Sequence, residues 1–185
     1  LTDFGYGSVA QTVLNKTTYP SFGHLFSLGA TTLWETWEKY TPNVSVRSRN
    51  HPMQGGLDPW FYSHIAGILP DEDYPGFKRI IIKPNIIGTL TYANGTYRSV
   101  HGTFASSWKM EDNTFKLKIS IPPNTSATVY VPTKNDANVL ESGIPAKQAK
   151  GVQYIETEQD GVIYQVGSGT YEFTCLLNDA ARTDG

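Results

Sequence analysis

The sequence holds 185 residues, enough for one ordinary domain or two small ones, and carries a formal net charge of −2. With 39% hydrophobic and 17% charged residues it has the composition of a globular chain. The near-neutral balance, with a pI near 6.1, lacks the basic field that phosphate backbones require, so no nucleic-acid partner is expected. No apolar run approaches the roughly 20 residues that span a bilayer, so no membrane partner is expected either. The single cysteine, Cys175, excludes an internal disulfide and a thiolate cluster, and His24, His51, His64 and His101 are too scattered for metal-ligand spacing. Neither a metal nor a cofactor is expected. The chain opens at Leu1 without a signal-peptide pattern and reads as cut from something longer.

In chain order, Ser8 is placed to cap a short helix over residues 8–14, with Val9, Val13 and Leu14 on one side. Tyr19-Pro20-Ser21-Phe22-Gly23 reads as a bend, because Pro20 disfavours helix at Tyr19. A second helix is expected over residues 32–40, stopped by Pro42, with Glu35 and Lys39 paired at i and i+4. The third has the clearest period: Leu57, Trp60, Phe61, Ile65 and Ile68 form one apolar stripe that also carries His64. A proline-flanked polar connector, residues 69–75, follows.

Near residue 78 the period changes from helical to alternating. Strands are expected over residues 79–83 and 89–92, with Asn94-Gly95 as a hairpin turn. A long strand over residues 97–110, bent at Gly102, comes next. Further strands fall at 114–121, 127–131, 154–157, 162–166 and 170–176, with turns at Glu111-Asp112-Asn113, Pro122-Pro123-Asn124 and Asp160-Gly161. Short alternating strands at this spacing predict an antiparallel β-sandwich, giving an α+β chain in two parts. Three helices cannot bury their apolar faces by themselves. Either they pack on the sandwich, or they belong to a larger helical domain.

Two Trp and two Glu occupy five positions in Leu33-Trp34-Glu35-Thr36-Trp37-Glu38. Such a segment is either a surface helix or a catalytic carboxylate, Glu35, bracketed by indole rings. Downstream, Ser48-Arg49-Asn50-His51-Pro52 is a polar loop of the kind that shapes a ligand site or simply leads into a helix. No Gly-x-Ser-x-Gly elbow is present, and Gly55-Gly56 does not follow a strand as a phosphate loop would. The 12% aromatic content suits a sugar-stacking surface and an aromatic β core equally.

Several segments together carry a specific resemblance: Tyr19-Pro20-Ser21-Phe22-Gly23, Gly29-Ala30-Thr31-Thr32-Leu33-Trp34-Glu35-Thr36-Trp37, Ser48-Arg49-Asn50-His51, Trp60-Phe61-Tyr62, Ala66-Gly67-Ile68 and the run from Pro75 to Pro84. In order and spacing they resemble the C-terminal end of bacterial and fungal α-L-rhamnosidases, glycoside hydrolase family 78. The resemblance implies that residues 1–78 are the last helices of an incomplete (α/α)₆ catalytic barrel, that 79–178 form a C-terminal β-sandwich, and that 179–185 are a tail. It implies an inverting hydrolase that removes terminal α-L-rhamnose, with Glu35 as general base. By the same resemblance His51 contacts the bound sugar, while Trp34 and Trp37 line or support the pocket. The general acid would lie upstream of these residues, so the chain alone is expected to be inactive. The implied partners are a rhamnose-containing carbohydrate and the remainder of its own barrel. Barrel-facing Leu25, Phe26, Leu33 and Trp37 are expected to lie exposed or to be buried in a neighbouring copy, since patches of this kind favour self-association.

Two other readings compete: a non-catalytic carbohydrate-binding β-sandwich padded by helices, and an (α/α)₆ hydrolase acting on another sugar. Asn-x-Ser/Thr sequons stand at Asn15, Asn43, Asn94 and Asn124. Plant-polysaccharide substrates would place the protein in an extracellular or periplasmic compartment.

Overall fold

Alternation of apolar and polar residues sets the second part of the chain, because successive side chains on a strand point to opposite faces. The computed structural model describes residues 1–38 and 48–177. Its chain divides into two compact units between Trp60 and Phe61.

The second unit begins with a single π-helical turn, Phe61–Ile65, followed by eleven strands. These are β1 (Ile68–Pro70), β2 (Arg79–Ile82), β3 (Tyr92–Ser99), β4 (Gly102–Glu111), β5 (Thr114–Ile121), β6 (Ser126–Val131), β7 (Leu140–Glu141), β8 (Ile144–Pro145), β9 (Val152–Glu158), β10 (Gly161–Val166) and β11 (Gly169–Leu176). One sheet has the order β1-β2-β6-β10-β9, the other β3-β4-β5-β11-β7-β8. Their inner faces meet as a sandwich: Ile80, Val129 and Tyr164 from the first sheet, Phe104, Leu117 and Phe173 from the second, all fully buried. Tyr164 stacks on Phe173 with ring centroids 5.5 Å apart, a contact from sheet to sheet. Among the described residues every strand pairing is antiparallel except that of β2 with β6. Between these two strands the chain crosses to the other sheet for β3, β4 and β5, and it returns beside β2 in the same direction.

The expected strands at 114–121, 127–131, 162–166 and 170–176 lie where alternation places them. Other expectations are corrected. Asn94-Gly95 is not a turn but the middle of β3, paired across to Ser107 and Ser106. Glycine is required there for clearance: a Cβ on Gly95 would stand 2.5 Å from the Cβ of Ala66. The turn that does occur is Val100-His101, between Ser99 and Gly102, so the single bent strand expected over 97–110 is a hairpin. Ser99 builds this turn by accepting from the His101 N–H and donating to the Gly102 carbonyl, both at 3.0 Å. Residues 89–91 form no strand, and Ile68, assigned to the helical stripe, is the first residue of β1. Short β7 and β8, in a segment without strong alternation, were not expected.

The first unit holds α1 (Gly7–Asn15), α2 (Phe22–Ser27) and α3 (Leu57–Trp60), with 3₁₀ turns at Thr2–Phe4 and Pro52–Gly56. α1 starts one residue before Ser8, which lies inside the helix and not at its N-cap, Tyr6; its carbonyl accepts from the Thr12 hydroxyl at 2.9 Å. The cap expected there is found at α2, where the Ser21 hydroxyl accepts from the His24 N–H at 2.9 Å. Two residues after α2 comes Gly29, whose φ of +84° suits a residue without a Cβ. The helix expected over 32–40 does not form: residues 31–38 are non-helical, and Lys39 and Tyr40 lie outside the described residues. The Trp60 indole N–H donates to the Thr2 hydroxyl at 2.8 Å, tying α3 to the first turn of the chain. Leu25 is 1% exposed and belongs to the core of this unit, against the expectation of an exposed barrel face. Leu33 and Trp37 are half-buried, and Phe26 is exposed as expected. Among the described residues no helix is long and apolar enough to cross a membrane.

Two outcomes follow for the second unit. The Trp108 indole N–H donates to the Ile65 carbonyl at 2.7 Å in the core. Trp108→Phe strands that carbonyl and is expected to cost about 1–3 kcal/mol in urea denaturation, and Gly95→Ala a similar amount by overpacking. Burial pushes the Cys175 thiol up to about 12, so it should resist thiol reagents at pH 8 until the chain unfolds. A thiol that ionises later in the folded state than in the unfolded one contributes its full stabilisation below pH ~9, and this fades as pH rises toward 12. Reagent accessibility followed against denaturant and pH measures both.

Candidate active site

The site residues expected from the sequence all lie in the first unit, and their arrangement is made by backbone rather than by helix. The Glu35 N–H donates to the Ser48 carbonyl at 3.0 Å, and the His51 N–H donates to the Leu33 carbonyl at 2.8 Å. Between these two bonds one residue, Trp34, faces two, Arg49 and Asn50. This two-against-one count is that of a β-bulge, a device that bends the chain and re-aims its side chains. The Thr32 hydroxyl adds a bond to the Arg49 carbonyl, and the Ser48 hydroxyl accepts from the Asn50 N–H at 3.2 Å. Glu35 and His51, sixteen positions apart in sequence, are thereby mounted on paired backbones.

The aromatic residues have different roles. Trp34 is buried, 6% exposed, with the Arg49 guanidinium 5.3 Å from its ring centroid. It is the packed centre of the bulge. Trp37 is half-buried and meets Phe22 edge to face at 5.2 Å, so it packs toward α2 instead. Beyond it, the Tyr19 hydroxyl donates to Glu38 at 2.7 Å, and that carboxylate raises the phenol above its ordinary value. Glu38 is thus engaged by Tyr19.

Glu35 and His51 are each half-buried. The Nδ1 of His51 and the hydroxyl of Thr36 are buried and find no hydrogen-bond partner among the described residues. Buried polar groups in native proteins are rarely left unpaired, and those that are call for a specific explanation. A carboxylate, an imidazole and a hydroxyl set around one bulge can take a proton from water and hold hydroxyl groups of a ligand. No three His, Cys, Asp or Glu side chains among the described residues group as metal ligands.

Sequence reasoning did not single out Arg49. It is part of the Ser48-Arg49-Asn50-His51 motif, but only the fold brings it to Trp34. Nor did it find the Tyr19–Glu38 bond, which joins residues nineteen apart through a segment without periodicity.

Comparison with known proteins places the chain beside a known family. Residues 1–65 match the bacterial alpha-L-rhamnosidase 6 hairpin glycosidase domain, and residues 67–143 match the bacterial alpha-L-rhamnosidase C-terminal domain. The chain belongs to the α-L-rhamnosidase family. The solved α-L-rhamnosidase of Dictyoglumus thermophilum is 37% identical with a TM-score of 0.82, and the match covers 96% of this chain and 20% of that one. The Streptomyces avermitilis α-L-rhamnosidase, solved in complex with L-rhamnose, is 32% identical with a TM-score of 0.79, covering 94% of this chain and 16% of that one. A curated α-L-rhamnosidase of Streptomyces avermitilis is 33% identical over 179 residues, which are 94% of this chain and 16% of the relative. The chain thus spans about one sixth of the length of that curated rhamnosidase. The two domain matches meet at residues 65–67, beside the boundary between the compact units.

Proposed function

We propose that the protein acts as an inverting glycoside hydrolase that removes terminal α-L-rhamnose from glycosides or polysaccharides, with Glu35 as its general base. The observation that carries this reading is the bulge that mounts Glu35 and His51 on paired backbones, with the His51 Nδ1 and Thr36 hydroxyl buried and unspent among the described residues. Glu35 takes a proton from a water molecule, and the water oxygen bonds to the anomeric carbon from the face opposite the leaving group. A second carboxyl group protonates the glycosidic oxygen as its bond to that carbon breaks, releasing an alcohol and a sugar of inverted configuration. Inversion needs the two carboxyl groups about 6.5–9.5 Å apart, with the water between one of them and the sugar. His51 holds a hydroxyl of the sugar, Trp34 braces the bulge from beneath, and Trp37 supports the wall of the pocket.

The second carboxyl group is assigned to barrel segments outside these 185 residues, as the family resemblance implies. Support for such a partner comes from the apolar surface of the first unit, where Phe4 is 81% exposed and Phe26 62%. In the absence of those segments a second copy of the chain would cover the same surface. Substrates of this kind place the enzyme in an extracellular or periplasmic compartment.

In the full-length enzyme, Glu35→Gln is expected to lower kcat on an aryl α-L-rhamnoside about 10²–10⁴-fold with little change in KM. A turnover within a few-fold of the parent would remove Glu35 from the mechanism. The 185-residue chain by itself should give no turnover and should sediment as more than a 20.5 kDa monomer. Steady hydrolysis by a monomeric 185-residue chain would refute the assignment of the acid to outside segments.

A further inference from the structure

The sandwich unit carries a shallow groove of its own, open to solvent and of about 570 Å³, at one end of the six-stranded sheet. Three pieces of chain form it: the β3–β4 turn at His101, the end of β5 with Pro122 and Pro123, and the start of β11 with Ser168. Both flanking turns are held by side chains. Ser99 bonds the His101 turn on two sides, and the Thr125 hydroxyl donates to the Pro122 carbonyl at 2.7 Å. Gly102, at φ +122°, packs against Pro122, where a Cβ would stand 2.9 Å from the proline ring. The shape is therefore set before any ligand arrives.

The lining selects the ligand by exclusion. Among the described residues no Asp, Glu, Lys or Arg contributes, and His101 is the one titratable side chain of the lining, so the groove offers no carboxylate, ammonium or guanidinium to a charged ligand. The hydroxyls of Thr103, Ser120, Ser168 and Thr170 take no hydrogen bond from other described residues, and an apolar ligand would strand those it covered. Ser120 and Thr170 lie directly opposite each other in the β5–β11 pairing. Beside them the proline rings supply a small apolar wall. Hydroxyl groups on one side and C–H surface on the other are the two faces of a neutral sugar ring.

We propose that this groove binds a neutral pyranose unit, as a non-catalytic site built from the sandwich unit's own residues. The proposal rests on the rhamnosidase reading only for the choice of L-rhamnose as probe. The test uses the imidazole proton resonances of the 185-residue chain, which has four histidines, during titration with L-rhamnose. The His101 signals should move in a saturable way, and they should still move in a His51→Ala variant. Ser120→Val, which keeps the shape and removes one hydroxyl, should weaken the binding at His101 about fivefold, the worth of one neutral hydrogen bond. Ser168→Ala, in the exposed turn, repeats that test without touching the sheet. An unmoved His101 resonance, or a response that both hydroxyl variants leave as strong as in the unsubstituted chain, overturns the proposal. Full turnover by Glu35→Gln enzyme would instead overturn the catalytic reading and leave the groove result intact.

Discussion

Four consecutive backbone carbonyls, those of His64, Ile65, Ala66 and Gly67, must find donors where the helical turn of the second unit runs out. A helix end leaves its last carbonyls without intrahelical partners, and burial makes each orphan costly. The sandwich supplies a donor for every one. Asn85 gives its backbone and side-chain N–H groups to His64, at 2.9 and 3.1 Å. The Trp108 indole serves Ile65, the Ser106 hydroxyl serves Ala66 at 2.7 Å, and the Lys83 N–H serves Gly67 at 2.8 Å.

This accounting explains residues that otherwise look unrelated. Ser106, almost fully buried on the apolar face of β4, is there for the Ala66 carbonyl. Gly67 has φ +70°, and a Cβ on it would come within 2.2 Å of the Pro84 nitrogen, so neither its conformation nor its space admits a side chain. Gly95 sits in a strand interior, usually a weakening choice, because Ala66 occupies the space a side chain would need. The tight segment thus dictates small residues on the strand beneath it and hydrogen-bonding residues on the strand beside that one.

The candidate site follows a different rule. Its polar groups are set by a two-against-one backbone pairing and held by a buried indole under a guanidinium. A helix over the same residues would have fixed Glu35 and Lys39 at i and i+4 and spent the Glu35 N–H within the helix. The extended arrangement instead gives that N–H to Ser48, and it leaves the carboxylate, the imidazole and the Thr36 hydroxyl for other work. Of the two indole rings of the segment, Trp34 packs the centre of the bulge and Trp37 packs against Phe22.

Local periodicity was sufficient wherever one face of an element is buried and the other is wet. The strands β5, β6 and β11 show that period in their own residues, so no knowledge of their neighbours is needed to place them. Charge balance and the scatter of histidines are likewise properties of the chain itself, and the Trp-Glu and Arg-Asn-His motifs nominated Glu35 and His51 through the family they resemble. The sequence could not decide where a distant backbone would compete for the same hydrogen bonds. Asn94-Gly95 has the local chemistry of a turn, yet the pairing with β4 and the approach of Ala66 hold it straight. Residues 32–38 have a helical period, yet Ser48 and His51 capture the donors and acceptors a helix would use. Propensities of a few tenths of a kcal/mol per residue yield to long-range pairing and burial worth more, and those partners exist only once the chain has folded.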